Sequence, residues 1–178
     1  MLDKNVLLVD IGGTNIRYAY SNIGDLNFVS ENKAELASLN NFDKLMSELL
    51  YKSDVKNIVF SIAGPKVNNS IRMTNRNFEI DADEIRKRFN LESCHLLNDW
   101  ESIGYSIRTF TENDFDNFIE GEAFNDNFLV IGPGTGLGAS VISGNSVIAT
   151  EIGNTNLGLT ALKLSLIHIS EPTRPLII

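Results

Sequence analysis

The sequence predicts a mixed α/β fold in which antiparallel hairpins come first and strands alternating with helices follow. Three observations lead there. Short apolar runs end in glycine-rich turns, in VLLVDIGGTNIR (6–17) and again in FLVIGPGTGLGAS (128–140). Apolar residues recur at helical spacing over 41–51, 81–89 reads as a short charged helix, and a helix-start signal at Asn98 precedes 99–107. Further short apolar runs at 55–63 and 95–97 stand between those helices, as β-α units require.

Taken in order, 6–9 reads as a buried strand, with 16–20 as its hairpin partner across Gly12-Gly13. Residues 22–25 form a turn, and 26–30 reads as a third strand. Helix 41–51 leads to strand 55–63, closed by Gly64-Pro65. The polar, turn-rich stretch 66–78 reads as a small hairpin excursion. Helix 81–89, strand 95–97 and helix 99–107 follow. Residues 109–127 are acidic and aromatic and read as loops with one short helix. The strands 128–131, 138–142 and 146–150 complete the pattern, the last two joined by Gly144-Asn145.

The composition narrows the function. The chain has 178 residues, enough for one ordinary domain with a real core or for part of something larger. A formal net charge of -8 argues against general nucleic-acid binding, which needs a basic face. The lone Cys94 excludes an intrachain disulfide framework and reads as a buried, inert thiol in a reducing compartment. No apolar run approaches the roughly 20 residues of a membrane helix. The run at 6–9 is too short for a signal peptide, so the expected location is cytoplasmic, with no membrane partner.

The chemistry gathers at three places. In the first turn, Asp10 ends a strand, Gly12 and Gly13 offer backbone N–H groups to an anion, and Thr14 adds a hydroxyl. Asp10 suits Mg²⁺ held through its retained waters, and Arg17 stands ready for Asp10 or for a phosphate. A plain Asp-Gly hairpin is the structural alternative. The second turn holds Gly132, Gly134, Gly136 and Gly138 around Pro133 and Thr135. That density discourages regular structure and offers a nest of donors for a terminal phosphate. Its G-x-G-x-x-A pattern demands a following helix to be a dinucleotide fingerprint, and ASVISGNSVIAT reads as a hairpin instead. Between the turns, Asn98 and Asp99 follow an apolar strand. Asn98 and Glu101 have the spacing of a capping box. Asp99 has the placement of a carboxylate base for a substrate hydroxyl, a role compatible with that cap. His95 reads as a core histidine, and there is no His/Cys metal site.

Together these motifs resemble the bacterial glucokinase family, sugar kinases of the actin–hexokinase–Hsp70 superfamily. DIGGTNIR resembles its first phosphate motif and GPGTGLGAS its second. IAGPKVNNSIRMTNRNFEID followed by HLLNDWESIGYSI resembles its central segment in order and spacing, and TEIGN stands where that family has Gly-Glu-Gly-Gly-His. The resemblance runs from about residue 6 to about residue 160. It implies an RNase H-like, actin-like ATPase lobe over 1–108 and the start of a second lobe over 109–163. It further implies transfer of the ATP γ-phosphate to the 6-hydroxyl of glucose, the first step of glycolysis, with ATP and Mg²⁺ bound.

Carried over position by position, Asp99 becomes the catalytic base. Asn98, Glu151, Asn154 and, in the sugar-side loop, Asn75 become sugar contacts. Asp10, Ile11, Gly12, Gly13, Thr14, Asn15 and Arg17 bracket ATP–Mg²⁺ together with Gly132, Gly134, Thr135, Gly136 and Gly138. Ile152 and Asn154 depart from the family's glycine and histidine, which leaves a kinase for another hexose open. A non-catalytic sugar sensor is a further alternative; its repressor version needs a helix-turn-helix, and Met1 sits only five residues before the first strand. The full-length protein is expected to be a homodimer. The stretch LSLIHISEPTR (164–174) resembles a frame of a sequencing adaptor, so 164–178 reads as a non-native tail and the chain as an inactive fragment lacking most of the second lobe.

Overall fold

The computed structural model describes residues 4–51, 53–73, 76–119, 121–133 and 137–150. β1 (Val6–Ile11) and β2 (Asn15–Ser21) form the expected antiparallel hairpin across Gly12-Gly13. β3 (Val29–Glu35) pairs antiparallel with β2 and starts later than the apolar text at 26–30 predicts. Leu26 and Phe28 instead lie exposed in a compact turn, where Ser21 Oγ donates to the carbonyls of Asp25 and Asn27. β3 is a polar edge strand, and an edge facing water needs no apolar alternation. A 3-10 helix (Leu36–Asn41) leads into α1 (Phe42–Tyr51), whose Met46 and Leu49 are buried.

β4 (Asn57–Ile62) runs parallel to β1. The excursion after it is a small antiparallel sheet of β5 (Lys66–Val67), β6 (Ser70–Arg72) and β7 (Glu79–Asp81). Asp81 caps α2 (Ala82–Arg88) by accepting the Glu84 N–H. β8 (Ser93–Asn98) returns parallel to β4, giving a five-stranded sheet in the order β3-β2-β1-β4-β8. α3 (Asp99–Ser106) follows directly. β9 (Phe128–Pro133), β10 (Leu137–Ser143) and β11 (Ser146–Thr150) then form a second, antiparallel sheet in the order β11-β10-β9.

The core is readable from the register. Rows Leu7–Ile58–Cys94, Val9–Phe60–Leu96 and Ile11–Ile62–Asn98 cross β1, β4 and β8 on one face. All nine residues are buried, and Met46, Leu49 and Ile85 of α1 and α2 join their cluster. The other face carries Leu8–Val59–His95 and Asp10–Ser61–Leu97. His95 is therefore exposed, not a core histidine, because alternation turns it away from the cluster that takes Cys94 and Leu96. α3 touches β4 and β8 of the first sheet and β10 and β11 of the second. No described helix is long and apolar enough to cross a membrane.

Candidate active site

Three parallel strands end level with one another. Ile11 pairs with Ile62 and Ile62 with Asn98, so the Gly12-Gly13 turn and Asp99 leave the carboxyl ends of strands flanking β4. In open α/β sheets that edge is where ligands sit. The first turn is closed by the Gly12 N–H donating to the Asn15 carbonyl at 3.0 Å. That spends one of the donors expected for an anion and leaves Gly13 and Thr14 exposed. Asn15 Nδ2 donates to Thr14 Oγ1 at 2.8 Å. The Ile11 side chain is buried in the core, so only its backbone faces the turn.

Asp10 is half-buried and accepts a hydrogen bond from Ser61 Oγ at 3.0 Å. Ser61 carried no signal in the sequence; only the β1–β4 register places it opposite Asp10. Arg17 stands opposite Asp10 across β1–β2, and no ion pair joins them among the described residues. A cavity of about 300 Å³ lies beside Asp10, Arg17 and Ser61, walled largely by Leu8, Val59 and Leu97. A second groove, of about 480 Å³, lies between α1 and α2 along Phe42, Asp43, Ile85 and Arg88 and holds none of these groups.

Asp99 opens α3. Burial pushes its carboxyl above the ordinary carboxylate range, and the nearby charge of Asp10 adds to that, against the opposing pull of the Trp100 and Asp99 N–H groups and the Asn98 side chain. An environment that disfavours the charged form makes a better base near neutral pH. The predicted capping box is present. Asn98 Oδ1 accepts from the N–H groups of Trp100 and Glu101, and Glu101 Oε2 accepts from the Asn98 N–H. Asn98 Nδ2 donates to the Gly64 carbonyl at 2.9 Å, and the Asn98 side chain also hydrogen-bonds the Asp99 carboxylate. Lys66 Nζ approaches both Glu101 oxygens at 3.4 Å, so β5 is tied to the start of α3.

The second turn differs from its sequence reading. Gly132 belongs to β9 and Gly138 to β10, and the two pair across the hairpin. Regular structure runs through both, and Trp100 lies over them where side chains would otherwise project. The strand after the turn confirms that this is not a dinucleotide fingerprint. Gly134, Thr135 and Gly136 lie outside the described residues, as do Asn75, Glu151, Ile152, Asn154 and the whole of 164–178.

The donor set offered to a Mg²⁺ is a single carboxylate. Asp10 supplies an oxygen held by Ser61, and the described residues contain no group of three or more His, Cys, Asp or Glu able to enclose a metal. One carboxylate with water and phosphate oxygens is the ordinary way Mg²⁺ is bound.

The family profile described as Glucokinase matches residues 7–168. A glucokinase of Campylobacter jejuni subsp. doylei is 31% identical over 144 residues, covering 75% of this chain and 41% of the relative. One from Colwellia psychrerythraea is 33% identical over 141 residues, with 75% and 42% covered. The crystal structure of a glucokinase from an Antarctic psychrotroph superposes with a TM-score of 0.68 at 25% identity, covering 89% of this chain and 53% of that one. A glucokinase from Balamuthia mandrillaris, solved in complex with glucose, shares the fold with a TM-score of 0.69 at 22% identity, with 87% and 50% covered. The chain thus spans about half the length of the relatives it matches.

Proposed function

Because the chain belongs to the glucokinase family, we propose that the complete protein transfers the γ-phosphoryl group of ATP to the 6-hydroxyl of glucose, with Asp99 as the base. The observation that supports this reading most is the placement of Asp99: half-buried, raised in pKa, and level with the first glycine turn across one strand. Asp99 accepts the proton of the sugar hydroxyl as its oxygen bonds to the γ-phosphorus. The bond from that phosphorus to the β,γ-bridging oxygen breaks, and ADP leaves. Phosphoryl transfer of this kind depends mainly on positioning and charge stabilisation.

Gly13 and Thr14 are assigned to the phosphates from the first turn, and the glycine-rich segment 132–138 is assigned to them by its sequence. Asp10 would hold Mg²⁺ through water, and the ion would supply charge neutralisation for the transferred phosphoryl group. Asn98, Asn75, Glu151 and Asn154 are assigned to the sugar side by the family resemblance. A different hexose is the second reading, favoured by Ile152 and Asn154 at positions where the family pattern has glycine and histidine. The setting is the cytoplasm.

Coupled ADP-release assays test the proposal. Full-length protein turns over glucose, and Asp99→Ala lowers kcat by about 10²–10⁴-fold, the range for removing a general base. Retained turnover in Asp99→Ala removes that residue from its role, and a sugar panel separates the two substrates. The 178-residue chain alone is expected to give no glucose-dependent ADP release; robust release from it would overturn the reading of it as an inactive fragment.

A further inference from the structure

We propose that Trp100 is a positioning residue that ties the second glycine turn to the base at the start of α3. The proposal rests on the kinase reading for its catalytic consequence and on packing alone for its mechanical part. The main chain of Trp100 holds one side of the link. Its N–H donates to Asp99 Oδ1 and to Asn98 Oδ1, both at 2.9 Å, so this single amide orients the proposed base and a proposed sugar contact.

The side chain holds the other. A Cβ on Gly132 would lie 2.7 Å from Cζ2 of the indole and overlap its Cη2, and a Cβ on Gly138 would overlap Nε1 and Cε2. Because Gly132 and Gly138 pair across β9–β10, the ring spans both strands at the base of the turn. One helical turn later, on the same face of α3, Gly104 repeats the arrangement: a Cβ there would lie 2.8 Å from Ser140 Oγ of β10. The helix is thus applied to the second sheet along its length, with the indole as its leading contact. The two glycines are required by this ring whether or not they also face a phosphate. Any shift of the turn moves the indole, and with it the amide on which the Asp99 carboxylate is hung.

A double-mutant cycle on Trp100 and Gly138 tests the link. In the full-length protein, Trp100→Leu lowers kcat by roughly 10–100-fold, the scale of an ångström-level misplacement, while the glucose KM changes by less than about 3-fold. Trp100→Phe, which keeps a flat ring, recovers most of the loss. Gly138→Ala is damaging alone and adds little in the Trp100→Leu background, because the ring it collides with is gone. The same non-additivity appears in the melting temperatures of the four 178-residue chains, a readout independent of activity. Losses that multiply in both measurements, or an unchanged kcat in Trp100→Leu, overturn the proposal. Full-length protein that phosphorylates no sugar overturns the kinase reading instead, and the thermal cycle still decides the packing.

Discussion

The five-stranded sheet and the β9–β11 sheet begin alike and end differently. Each opens with an antiparallel pair joined through a glycine turn, β1–β2 and β9–β10, and each adds a third antiparallel strand outside the second. In the first sheet, the free edge of β1 is then taken by β4, and Leu7, Val9 and Ile11 are at most 3% exposed. In the second, no described strand takes the corresponding edge of β9, and Phe128, Leu129 and Ile131 are 52–58% exposed. The apolar text is equivalent. What differs is the neighbour: β4 lies along β1, and no described strand lies along the free edge of β9. Burial is a property of the partner as much as of the strand.

The sharpest way to break this contrast is to remove one side chain from each sheet. Phe60→Ala empties the centre of the row Val9–Phe60–Leu96 and is expected to cost about 3–5 kcal/mol in urea unfolding of this chain. Ile131→Ala, at 52% exposure, is expected to cost less than about 1 kcal/mol in the same measurement. Equal costs would mean that the second sheet buries β9 in solution and that the contrast is false.

A smaller effect probes the joint between the sheets. Glu101→Ala removes both the capping bond to the Asn98 N–H and the partner of Lys66, and is expected to cost about 1–2 kcal/mol. Glu101→Gln keeps the capping bond and loses only the charge, so it costs less. If the two variants lose stability equally, the ion pair and not the cap holds α3.

The pH dependence follows from Asp99. Its carboxyl is raised above the ordinary range by burial and then by Asp10. Between the unfolded and folded pKa values the native state holds more protons, so this group's contribution to stability falls as pH rises through that window. As a base it must be ionised, so kcat/KM falls on the acid side at a pH above that of a free carboxylate. Asp99→Asn removes its share of the stability slope; an identical slope in that variant would assign the titration to another group.

The fold was legible where chemistry is local, and illegible where register decides. The β1–β2 hairpin, the cap at Asn98 and the strand after the second turn all follow from neighbouring residues. Ser61 beneath Asp10, His95 turned outward and Lys66 beside Glu101 depend on which strand lies beside which, and no short-range pattern encodes that. The glycines of the second turn were seen as phosphate donors because glycine marks any close approach. That the approaching group is also the indole of Trp100 requires knowing where α3 lies.

Thiol chemistry reads the same contrast at the smallest cost to the protein. Cys94 sits in β8 opposite Ile58, and burial pushes its thiol up to about 12. The thiolate is the reactive form, and a free cysteine titrates near 8.5, so at neutral pH the reactive fraction of Cys94 is lower by roughly three orders of magnitude. Cys94 is therefore expected to react with a disulfide reagent only as the first sheet opens, at a rate that tracks the urea dependence of unfolding. An Ile131→Cys substitution places a thiol on the half-exposed β9, where it is expected to react at close to the rate of a free thiol in the folded chain. Stability should hardly change in that variant, so the two labelling rates compare the sheets within one molecule. Fast labelling of Cys94 without denaturant would show that the first sheet opens locally, and slow labelling at position 131 would show that β9 is covered.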